Sequence, residues 1–269
     1  MDELGRSGWQ TETQEFTYHG TLVRNIIGKN AIGQGPTVIL GAHYDTRMRA
    51  DRDPVNPEMP VPGANDGASG VAVLLELARS LRISRVHNEI WLAFFDAEDD
   101  GGISGWDWIV GSTYMAQHLS ANPEAMILVD MIGDTDQQIY IDRNSNRRLS
   151  VQLFQIAADL GYEEHFVATP KHAMIDDHTP FALRGIPAVD LIDFDYPYWH
   201  TTADTIDKIS AESLERVGRT LEAFLESPLT ASAFLAEPRA LLSCKSDNRA
   251  GRDATDIPNP WPSFANPNT

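Results

Sequence analysis

Short apolar runs alternate with helix-period segments from residue 16 to residue 226, and the apolar runs lead into polar, chemically capable residues. No other feature of the sequence constrains the fold as much. Pro36 to His43 (PTVILGAH), Asn88 to Asp96 (NEIWLAFFD), Ala125 to Met131 (AMILVDM) and Ile186 to Ile192 (IPAVDLI) have the length and apolar character of buried strands. Between them, Ser69 to Leu81 sets Val73, Leu74, Leu77 and Leu81 at helical spacing. Further helices are expected near Ser112–Leu119, over Leu149–Leu160 and over Ser210–Leu225. The last opens with Ser210, followed by Glu212 and Glu215, a helix-start pattern. Phe16 to Lys29 reads as strand, turn, strand. The alternation predicts an α/β protein: a single three-layer α/β/α sandwich with a mixed, largely parallel central sheet. The predicted domain spans 1–228. Residues 229–269, rich in Pro, Asn, Asp and Arg beyond Asp247, are expected to form an extended or disordered tail.

Composition narrows the function. The chain of 269 residues has 39 Asp+Glu against 21 Lys+Arg, a net charge of −18. Phosphate binding needs clustered Lys and Arg, so a nucleic-acid surface is excluded, and anionic membranes are disfavoured. Cys244 is the sole cysteine, which excludes an intrachain disulfide and a Cys-rich zinc site. No apolar run approaches the roughly 18–20 residues of a spanning helix. Met1 to Thr11 is polar and lacks the apolar core of a signal peptide. Nothing in the sequence states a cellular address.

In α/β folds ligands bind at the carboxyl ends of strands, so the residues there carry the argument. The first buried run ends in His43-Tyr44-Asp45. A Pro-rich loop then delivers Gly63-Ala64-Asn65-Asp66-Gly67 before a helix. The second run ends in Asp96-Ala97-Glu98-Asp99-Asp100, the third in Asp130, and an aromatic loop beyond the fourth ends in Trp199-His200-Thr201. Taken singly, each has a plain structural reading. His43 could be a surface or capping residue, Asp66 a helix cap, Glu98 to Asp100 a solvated acidic loop, and Asp176-Asp177-His178 the start of a helix. Asp130 is harder to explain so, because a buried unpaired carboxylate is costly. Together, imidazoles and carboxylates at five strand ends suit zinc, which takes His nitrogen and Asp/Glu oxygen. In an adjacent pair such as Glu98-Asp99, one acid can hold a metal while the other moves protons. No G-x-S-x-G, H-E-x-x-H or G-x-x-x-x-G-K-[ST] motif is present.

This set, in this order, resembles the M28 zinc peptidase clan, which contains zinc aminopeptidases and animal-type glutaminyl-peptide cyclotransferases. The resemblance runs from about Gly41 to Leu225 and implies a zinc aminopeptidase-like fold. It implies that Asp66, Asp99 and His200 hold zinc in a cyclase, and that His43 and Asp130 complete a second zinc site in an aminopeptidase, with Asp66 bridging. One zinc is expected for a cyclase and two for an aminopeptidase. Glu98 matches the general acid/base of both branches, and Asp177 and Asp130 match acids that support it in cyclases. The sequence Asp-Asp-His-Thr-Pro-Phe from Asp176, the Trp199-His200 pair and the Trp-bearing loop from Gly101 to Val110 resemble the cyclase branch. Trp199 and Trp106 are therefore the expected substrate-binding residues, and a peptide or protein N-terminus the expected partner. Asp99 stands where many relatives have Glu, and Gly67 where animal cyclases have Ser. Relatives carry a helix before the segment at Gly8-Trp9, and many are exported. The resemblance therefore leads us to expect that this chain lacks that helix and an export signal.

Overall fold

The computed structural model describes residues 1–30 and 35–227. The expected tail of 229–269, with Cys244, lies outside the described residues. In chain order the helices are α1 (Asp2–Arg6), α2 (Ala68–Ser80), α3 (Val110–Gln117), α4 (Arg147–Asp159), α5 (Thr179–Leu183) and α6 (Ala211–Glu226). The strands are β1 (Gln10–Tyr18), β2 (Thr21–Lys29), β3 (Thr37–His43), β4 (Glu89–Phe95), β5 (Ala125–Asp130), β6 (Ile139–Ile141), β7 (Phe166–Pro170) and β8 (Ala188–Ile192).

Six strands form one mixed sheet in the order β1-β2-β4-β3-β5-β8. β1 and β2 form an antiparallel hairpin, β2 also pairs antiparallel with β4, and β4, β3, β5 and β8 are mutually parallel. The parallel strands are buried on both faces, which explains their near-continuous apolar character. Successive residues serve opposite layers. Val38, Leu40 and Ala42 pack towards α2, α4 and α6, whereas Ile39 packs towards α3 and α5. β4 and β5 alternate in the same way. The result is the expected three-layer sandwich. β6 and β7 form a separate two-stranded parallel ribbon.

Two elements differ from the sequence reading. A five-residue helix, α1, precedes Trp9, where the sequence reading expected none. Leu4 packs into the core, and the Trp9 indole donates to the Ala78 carbonyl at 2.9 Å. β1 begins at Gln10 rather than near Phe16.

The chain leaves β3 for β4 on one side and later returns to β5 on the other. That reversal opens a crevice at the carboxyl ends of β3 and β5. His43 and Asp130 are the last residues of these two strands.

Candidate active site

His43 and Asp130 face each other across the crevice. His43 Nε2 lies 3.1 Å from Asp130 Oδ1 and 3.0 Å from Asp66 Oδ1. Asp66 arrives from the loop before α2 and turns its other oxygen towards His200, 3.8 Å from Nε2. His200 Nε2 also lies 3.0 Å from Asp99 Oδ1. Two metal-ligand groups result, His43–Asp66–Asp130 and Asp66–Asp99–His200, with Asp66 common to both and every member buried. These are the five residues expected from the sequence.

The donors fit a metal. Asp66 Oδ2 and Asp99 Oδ2 are buried without a hydrogen-bond partner, a costly state for carboxylate oxygens. A cation shared with the imidazoles would satisfy them. Imidazole nitrogen with carboxylate oxygen is zinc chemistry.

The loops that deliver these side chains are pinned through their backbones. The Asp45 carboxylate accepts from Glu98 N at 3.2 Å and Asp99 N at 3.1 Å, so the segment just beyond His43 holds the acidic pair. Asp204 does the same for Asp66: it accepts from Asn65 N at 2.9 Å, from Asp66 N at 3.1 Å and from the Tyr196 hydroxyl at 2.7 Å. Asn65 Oδ1 accepts from Gly133 N at 2.7 Å, just beyond β5. Left-handed backbone recurs at the site, at Ala97 (φ 55°), Met131 (φ 45°) and His200 (φ 57°). Non-glycine residues hold that conformation only where their surroundings impose it.

Glu98 is buried beside the ligands. Burial raises its carboxyl well above the ordinary range; His43 opposes this, and Asp176, Asp99 and Asp177 add to it. Burial also pushes the Asp177 carboxyl up to about 7, with the Ser112 hydroxyl opposing. Burial raises Asp130 too, with His43 opposing. The two imidazoles differ. Burial lowers His200 to about 4, with Asp66 opposing. At His43 burial works against charge, but Asp130, Asp45 and Asp66 outweigh it and raise the ring well above its usual value.

Among the aromatic residues, Trp199 lies against the His200 ring, with centroids 3.9 Å apart. Trp108, half-exposed, lies nearly parallel to the same ring, with centroids 6.0 Å apart and an angle of 9°. Trp106, expected to bind substrate, does not share this place. It packs against Tyr18, with Val23, Ala97 and Val110 in the same cluster. In this loop the Gly102 amide donates to the Trp106 carbonyl at 2.9 Å, and Trp108, two residues on, is the indole beside His200.

The sequence reading assigned no role to Asp45, Asp204 or Asp176. Asp45 stands two residues beyond His43, the spacing that repeats one face of an extended strand, and this signal was available. Asp176 is buried next to Asp177, and the doubled acid hid which member mattered. Asp204 lies in a loop, 138 positions from Asp66, and carries no local signal.

Fold and site together define a class of zinc metalloenzyme in which candidate ligands stand at the ends of parallel strands. The pattern of peptidase family M28 matches residues 23–225, and the chain belongs to that family. It is 27% identical over 256 residues to a glutaminyl-peptide cyclotransferase-like protein of Mus musculus, covering 81% of this chain and 65% of the mouse protein. The chain therefore spans about two thirds of that relative. A solved glutaminyl cyclase of Tannerella forsythia is 32% identical, with a TM-score of 0.77, covering 85% of this chain and 88% of the cyclase. A solved Zn-dependent exopeptidase of Parabacteroides distasonis is also 32% identical, with a TM-score of 0.77, covering 84% and 86%.

Proposed function

We propose that this protein is a zinc-dependent glutaminyl-peptide cyclotransferase that closes an N-terminal glutamine to pyroglutamate and releases ammonia. The observation that carries the reading is the pair of indoles, Trp199 and Trp108, beside the His200 ring, because flat apolar walls suit a small planar ring. Cyclase relatives in sequence and structure support it.

Asp66, Asp99 and His200 would hold the zinc, which supplies Lewis-acid polarisation of the substrate's γ-carbonyl. Glu98 takes a proton from the α-amine as its nitrogen bonds to the side-chain amide carbonyl carbon, Cδ. It returns that proton to the departing nitrogen as the amide C–N bond breaks, so ammonia leaves without net consumption of acid or base. The raised carboxyl of Glu98 suits both directions of transfer. The buried acids Asp176 and Asp177 act behind Glu98 by keeping it easy to protonate. The substrate's own amine is the nucleophile, so no activated water is required.

A second reading is favoured by one observation: Asp66 belongs to both ligand groups, and His43 and Asp130 complete the second. That arrangement suits two metals and an aminopeptidase. Mass spectrometry after incubation with a Gln-initiated and a Leu-initiated peptide separates the two. Loss of ammonia from the first without shortening supports the cyclase, whereas release of leucine from the second overturns it. Metal analysis gives an independent count, about one tight zinc per chain for the cyclase and two for the aminopeptidase.

A further inference from the structure

Arg52 is exposed and lies beside Trp199 and His200. Its guanidinium lies 4.2 Å over the Trp199 ring, and its backbone amide donates to the His200 carbonyl at 3.2 Å. The side chain is exposed and makes no ion pair among the described residues. The acids on either side of it in sequence are committed elsewhere. Asp51 is held by Arg47 at 2.6 and 3.0 Å, and Asp53 accepts from Val55 N, Asn56 N and Thr202. The nearby Arg49 faces Glu58 at 3.4 Å. In a chain with a net charge of −18, an uncommitted cation stacked beside the zinc-ligand imidazole needs a reason. Stacking also fixes the guanidinium, so less freedom is lost when it meets a carboxylate.

We propose that Arg52 selects peptides carrying a carboxylate in the second or third residue. The proposal rests on the reading that a peptide N-terminus enters at His200. With the first residue beside the ligands, the following residues lead out past Trp199, where Arg52 meets an Asp or Glu side chain. A basic residue there meets a like charge. The specificity term is local, because the molecule as a whole repels anions.

The test compares kcat/KM for Gln-Glu, Gln-Ala and Gln-Lys peptides, and for the matching Leu series, with the wild type, Arg52→Gln, Arg52→Lys and Arg52→Glu. The wild type is expected to favour Glu over Lys at the second or third position by about three- to tenfold at low salt, the size that an exposed charge pair allows for a charge reversal. High salt should shrink the preference. Arg52→Gln should abolish it, Arg52→Lys should keep part of it, and Arg52→Glu should invert it. A role confined to propping Trp199 would change all peptides equally. The product, ammonia or leucine, reports which reaction occurs, and the acidic-to-basic ratio reports on Arg52 in either series. Should neither series turn over, the same ratio is read from peptide binding by quenching of tryptophan fluorescence. A ratio unchanged in Arg52→Glu overturns the proposal.

Discussion

Gly67 has no room for a side chain. A Cβ there would stand 2.5 Å from His43 Nε2 and 2.6 Å from the His43 carbonyl oxygen. Animal-type cyclases place a serine at this position, so in this chain His43 occupies the space that a serine would need. Gly67→Ser should force His43 off Asp66 and Asp130, lowering stability by about 1–3 kcal/mol and weakening zinc retention. Thermal unfolding and metal content measured together check this, and an unchanged metal content with a normal melting temperature would sink the packing argument. Glu98 tests the chemistry rather than the packing. Glu98→Gln keeps the shape and removes the proton acceptor, so turnover should fall on the order of 10²–10⁴-fold while bound zinc stays at the wild-type level. Near-normal turnover would refute the proton-transfer role.

At the scale of loops, strands and helices, the site depends on acids that touch no metal. Asp204→Ala would leave the Asn65 and Asp66 amides and the Tyr196 hydroxyl without an acceptor. Stranded buried donors cost about 1–3 kcal/mol each, so the melting temperature should drop, and a chelator should strip zinc faster than from the wild type. Equal stripping rates would remove Asp204 from this role. The same elements explain what could be read without coordinates. β3, β4, β5 and β8 announce themselves because burial on both faces leaves only apolar choices. α2, α4 and α6 do so because one stripe of each faces the core. Ser210 caps α6 as expected, accepting from Ser213 N at 3.1 Å. β1 was legible only from Phe16, since Gln10 to Glu15 is a polar edge segment held by backbone pairing with β2. β6 and α5, at three and five residues, are too short to show a period. The five ligand candidates were legible because each strand end shows its residue in local sequence. Which tryptophan of the Gly101–Val110 loop lies beside His200 was not legible, because that depends on the turn and not on composition.

Across the whole molecule, buried acids and bases make the fold sensitive to pH in opposite directions. Burial raises Asp177 to about 7 and Asp193 to about 6, and raises Glu98, Asp99, Asp176 and Asp190 well above the ordinary range. An acid whose folded value is raised stabilises the fold fully below its unfolded value, near 4, and loses that contribution as pH rises through the folded value. His178 and His200 are lowered to about 4 by burial. Their contribution is complete above about 6.5 and is lost as pH falls towards 4. Below pH 6.5 the two sets oppose each other. Above it the raised acids and the raised His43 still change, and both lose their contribution as pH rises, so the zinc-free protein should lose stability between pH 6.5 and 8. Zinc reverses the penalty for its own ligands, because it binds the ionised carboxylates and neutral imidazoles. At fixed free zinc, the rise in melting temperature over chelator-treated protein should therefore grow from pH 5.5 to pH 7.5. Differential scanning fluorimetry in paired zinc and chelator samples measures it. An increment independent of pH would mean that the buried carboxylates at the strand ends do not take up the metal.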